Sequence, residues 1–113
     1  MPGTHVVIHD GKGKPVVTLG SIVTSPVVQA TGLKAVRFVF DAGQELSEHT
    51  AAVPAVMHFL SGRARVGLGG ETVEATAGTM IYMEPNLPHS IFAETPVHMV
   101  LLMLKQWGGD GAQ

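Results

Sequence analysis

Apolar and polar residues alternate with a period of two along most of this chain. In KAVRFVF (34–40), Val36, Phe38 and Phe40 fall on one face and Ala35, Arg37 and Val39 on the other. RARVGL (63–68) sets Ala64, Val66 and Leu68 against two arginines. The Gly69-Gly70 pair that follows is a two-residue hairpin signal. AVMHFL (55–60) starts after Pro54. ETVEATA and TMIYM flank a break at Gly78, and HSIFA and VHMVLLML close the apolar part of the chain. Toward the N-terminus, THVVIH (4–9) reads as a short strand and DGKGKP (10–15) as a turn. PVVTLGSIVTSPVVQA (15–30) reads as two extended pieces, broken near Gly20 and Pro26. No segment holds a helical period over ten or more residues. The pattern predicts one all-β domain, a sandwich or barrel. Its core spans about 34–104, its N-terminal strands lie within 4–30, and 106–113 form a loose tail.

Composition narrows the function classes. Apolar residues make up 45% of the 113 and charged residues 14%, which suits a packed core and excludes a disordered chain. A net charge of −2 with scattered Lys and Arg gives no electrostatic reason to expect nucleic acid or an anionic membrane. The basic residues, Lys34 and Arg37 among them, read as solvated surface charges. Without cysteine there is no disulfide, thiolate nucleophile or zinc finger, which fits a reducing cytoplasm. The N-terminus lacks the pattern of a secretory signal, and VHMVLLML is too short to span a bilayer.

The candidate chemistry rests on six histidines, His5, His9, His49, His58, His89 and His98, with Glu45, Glu48 and Glu84 near the first candidates. Ser47 and Ser90 lie outside any Gly-x-Ser-x-Gly elbow, which argues against a serine hydrolase. His5, His9 and His98 read as surface or interface histidines.

From about Val36 to Leu104 the chain resembles a small cupin of the RmlC-like kind, an antiparallel jelly-roll barrel. In the family's first motif, glycine is followed after five residues by His-x-His, then a glutamate and a later glycine. Gly43, His49 and Gly62 match, while Ala51 stands at the second histidine and Ala55 at the glutamate. In the second motif Gly78 and His89 match, and Glu84, Asn86 and Ala93 replace proline, glycine and asparagine. Asn86 is a mild departure, since asparagine tolerates the left-handed backbone that a turn glycine supplies. The two alanines remove ligands.

The resemblance implies that His49 and His89 point into the barrel from neighbouring strands and are metal ligands. A divalent zinc, iron, manganese or nickel ion is expected there, with no organic cofactor. Two histidines need a third donor, and His58 is the candidate if a one-residue shift in the TAAVP loop turns it inward; plain alternation turns it outward. Glu45 shares the parity of His49 but sits about 13 Å away along a strand, and Glu48 should face the other way. Glu84 lies in a loop that could approach the mouth. Ala51, Ala55, Met57, Phe59, Met80 and Met99 are expected to line a roomy, largely apolar pocket, methionine adapting to irregular ligands.

Three functions compete. The first is a metal-binding cupin holding a small, largely apolar molecule, its reaction unassigned. The second is a metal-free binding or sensing cupin. The third is an isomerase with His49 or His89 as general base, weakened by the lack of an orienting carboxylate. A homodimer is expected, built on the β-branched N-terminal segments.

Overall fold

The computed structural model describes residues 5–7 and 16–105. Among the described residues there are nine strands and no helix. The strands are β1 (Ile22–Gln29), β2 (Leu33–Phe40), β3 (Glu45–His49), β4 (Ala55–Ser61), β5 (Ala64–Leu68), β6 (Glu71–Ala75), β7 (Met80–Met83), β8 (His89–Ala93) and β9 (Val97–Leu104). They form an antiparallel five-stranded sheet, β1-β2-β9-β4-β7, and an antiparallel four-stranded sheet, β3-β8-β5-β6. Every link between the sheets is short, so the chain passes repeatedly from one to the other and winds an all-β jelly roll.

Alternation does what the sequence predicts. Directly paired residues share a face, so register sorts the inward side chains into rows. In the four-stranded sheet one row is Ala75, Ala64 and Ala93, the next Val73, Val66, Ile91 and Leu46, and the last Glu71, Leu68, His89 and His49. In the five-stranded sheet Phe40 pairs with Val97, then Phe38 with Met99 and Phe59, then Val36 with Leu101, Met57 and Ile81. A final row holds Lys34, Met103, Ala55 and Met83. The three alanines share one core cluster with Phe40 and Phe59, small side chains leaving room for large ones. Burying each large apolar side chain contributes about 1.5–3 kcal/mol. That end of the barrel is closed by apolar packing, and the inward polar groups of the four-stranded sheet lie at the other.

Two local departures from the sequence reading have clear causes. Residues 22–29 are one strand, and Pro26 does not break it. β1 is an edge strand with a bulge between Pro26 and Val28, so the missing N–H costs no interior ladder bond. Of the strand expected at 4–9, residues 5–7 are described and lie in no strand. The rest of that strand, the turn at 10–15 and the tail at 106–113 lie outside the described residues.

Gly62 and Gly78 both take positive φ, +91° and +93°. They differ in their surroundings: a Cβ at Gly62 would collide with the Pro96 carbonyl, whereas at Gly78 it would meet open space. Gly78→Ala should therefore cost only the left-handed strain of about 1–2 kcal/mol. Gly62→Ala should cost about 3 kcal/mol or more, because the β8–β9 link must also move. Urea denaturation of the two variants checks this difference, and equal losses would contradict it.

Candidate functional site

β3 carries the first candidate ligand, and it is the strand that alternation least reveals. Its sequence, ELSEH, is mostly exposed. It pairs with β8 through Glu45–Phe92 and Leu46–Ile91, and then His49–His89. Three steps along β3 match two along β8, so one extra residue is accommodated as a bulge between Leu46 and His49. The bulge resets parity. Leu46 packs against the core and His49 still comes to the same face as His89. Glu45, paired with Phe92, faces away from the barrel, which corrects its expected shared parity with His49.

The two imidazoles are neighbours, with ring centroids 4.3 Å apart and planes inclined by 58°. His89 is buried and His49 exposed, so the pair sits at the rim of the barrel. Each ring is held the same way. His49 Nδ1 lies 2.8 Å from the Ser47 carbonyl and His89 Nδ1 2.8 Å from the Leu87 carbonyl. A carbonyl can only accept, so each Nδ1 donates, and each neutral ring keeps its lone pair on Nε2. A backbone carbonyl fixing the far nitrogen is a common support for a metal-ligating imidazole.

Loops close around this rim. The Asn86 N–H donates to the Ala51 carbonyl at 2.7 Å, tying the β7–β8 loop to the β3–β4 loop. The Gly69 N–H donates to the Pro88 carbonyl at 2.8 Å, adding the β5–β6 hairpin. Asn86 has φ +68°, the left-handed conformation for which the sequence reading admits it in place of glycine.

The remaining predicted residues separate. His58 pairs with Met80 and Val100 on the outer face of the five-stranded sheet, because Ala55, Met57 and Phe59 take the inward positions. No shift in the β3–β4 loop turns it inward, so it cannot join His49 and His89. Met80 lies on that same outer face and is 61% exposed, so it lines no barrel pocket. Its inward neighbours Ile81 and Met83 are the β7 residues that pack against the core. Phe59 and Met99 are buried in the core, paired with each other a row deeper than Met57. Ala55 is buried in the row nearest the rim, beside Met83 and Met103, and Ala51 is half-buried in the loop above. Glu48 and Glu84 are exposed. Among the described residues no three His, Cys, Asp or Glu side chains converge as a metal-binding group.

Arg63 and Arg65 behave as surface charges. Arg63 and Arg65 reach Glu94 at 3.1 and 2.9 Å, and Arg65 lies 4.8 Å over the Phe92 ring. These groups share the outer face of the four-stranded sheet, where ion pairs contribute little.

A jelly-roll barrel closed by an apolar core at one end and bearing a cross-strand histidine pair at the other defines a class of small β-barrel proteins. A family model for the cupin domain matches residues 36–105, more than half of the sequence. The chain belongs to the cupin family. Solved structures agree on the fold. An RmlC-like cupin from Desulfovibrio desulfuricans is similar with a TM-score of 0.80 at 22% identity, over 88% of this chain and 97% of that one. A protein of unknown function from Streptococcus pyogenes gives 0.74 at 24%, over 91% and 97%. A DMSP lyase from Ruegeria pomeroyi gives 0.71 at 14%, over 79% of this chain and 49% of its own. No curated protein matches the chain in sequence.

Proposed function

We propose that this cupin binds a divalent metal ion between His49 and His89 and holds a small, largely apolar molecule at the barrel rim. The single observation that supports this most is the matched pair of Nδ1–H to carbonyl bonds, which leaves two Nε2 lone pairs on adjacent rings. The pair fits two positions of a divalent ion and does not fit a closed three- or four-ligand shell. The other positions go to water or to donor atoms of the bound molecule. A bound ion would supply Lewis acidity toward a ligand oxygen. The chain's own contribution is to orient the two imidazoles, and to pack the apolar body of the molecule against Met83, Met103 and Leu87. The second reading, a metal-free binding or sensing cupin, is favoured by Ala51 and Ala55 standing where the family pattern carries ligands.

Calorimetric titration of the metal-free protein with zinc, iron(II) and manganese tests the choice. Stoichiometric binding is expected in the parent. It should weaken as pH falls, because protons compete for Nε2, and it should be abolished by His49→Ala or His89→Ala. Ala51→His should strengthen it, since the loop backbone there is already pinned by Asn86. No binding by the parent would overturn the metal reading and favour the metal-free one.

We also infer a homodimer. The outer face of the five-stranded sheet supports it: Met80 and Tyr82 are 61% and 55% exposed, with Val23 and Leu104 exposed on the same face. Met80 and Tyr82 are neighbours on the edge strand β7, and an exposed apolar pair at a sheet edge is a natural contact for a partner. Light scattering at micromolar concentration should give a dimer, and Tyr82→Lys combined with Met80→Lys should give a monomer. A monomeric parent would contradict the inference.

A further inference from the structure

Among the described residues, Lys34 is a cation that the strand register turns toward the barrel rim, not a plain surface charge. Lys34 pairs directly with Met103, which pairs in turn with Ala55 and Ala55 with Met83. Met103 packs on the core, so Lys34 shares its inward face. Lys34 is half-buried. Its ammonium has no hydrogen-bond or ion-pair partner among the described residues, whereas the Lys105 ammonium donates to the Ala30 carbonyl at 2.9 Å. No carboxylate stands in its row, whose remaining member is Gln29 on β1. The nearest-facing acids of the rim, Glu48, Glu71 and Glu84, are exposed and belong to the opposite sheet or to the β7–β8 loop.

Topology sets Lys34 across from the histidine pair. β2 and β3 belong to different sheets and are joined by residues 41–44 alone. So short a link between sheets about 10 Å apart places β3 over β2. The link lies at the Phe40 and Glu45 ends, so Leu33–Lys34 and His49 lie together at the other end. Measured from the link, Lys34 is six residues up β2 and His49 four residues up β3, about 20 and 13 Å. Lys34 therefore stands at the rim, slightly above the histidines. A lysine stem lies along apolar Met103 while its ammonium needs an anion or water.

We propose that Lys34 selects the ligand: the molecule held at the rim carries an anionic carboxylate, which pairs with the Lys34 ammonium while its apolar body faces Met103 and Met83. This rests on the reading of the rim as the ligand site, and it does not require that metal binds there.

Benzoate and benzamide are matched probes that differ in charge but not in ring. Ligand titrations followed by heteronuclear NMR, with EDTA and again with zinc, should show benzoate binding to the parent about tenfold or more tightly than benzamide, the size expected for a charge-assisted hydrogen bond. Lys34→Met keeps the apolar stem and should abolish that preference in EDTA, where no metal can hold the carboxylate. Lys34→Arg should restore most of it, which a purely structural role would not predict. In EDTA, equal binding of the two probes by the parent, no binding of either, or a preference that survives in Lys34→Met would overturn the proposal. A preference that persists in EDTA, in a protein that takes up no metal, would overturn the metal reading alone.

Discussion

The register between β3 and β8 is the constraint on which the site depends. A strand turns successive side chains to opposite faces, so a one-residue slip would send His49 to the outside of the barrel. Leu46 must face inward because it packs on the core, and simple alternation would then send His49 outward. The bulge between them lets both conditions hold. It costs β3 part of its ladder, which is tolerable because β3 is an edge strand anchored by the interior strand β8.

The core supplies the rigidity that the rim needs. Alanines at the closed end face the same cluster as Phe40 and Phe59, and the inward rows grow more polar toward the histidines. The barrel thus grades from a dry, packed floor to an open rim where loops are stitched by Asn86 and Gly69 N–H donors. Imidazoles held by backbone carbonyls on such a scaffold are oriented before any ligand arrives, which reduces the cost of ordering them on binding.

Much of this was legible in the residues. Alternation in 55–60 and 63–68 identified inward faces because the inward side is buried and the other more exposed, whereas in 34–40 Ala35 and Val39 on the outer face are buried as well. The Gly69-Gly70 turn and the left-handed Asn86 followed from backbone chemistry. β3 was hidden because its five residues carry only one packed apolar side chain, and its bulge defeats a period-of-two reading of Glu45. Pro26 misled for the opposite reason: a breaker in the sequence is harmless on an edge strand. His58 kept its plain parity, and the error lay in allowing a shift that the β3–β4 loop does not make; Met80 was expected in the pocket on residue type, and its pairing with His58 turns it outward. Lys34 escaped notice because charge suggests surface, and only the pairing with Met103 reveals its inward face.

Function at the rim depends on two adjacent imidazoles with Nε2 free toward the same space. Long-range proton–nitrogen correlation spectra of the metal-free protein at neutral to mildly basic pH test this arrangement directly. His49 and His89 should both show the Nδ1–H tautomer, together with a ring-to-ring proton Overhauser contact between them. An Nε2–H tautomer at either residue, or no contact between the rings, would contradict it.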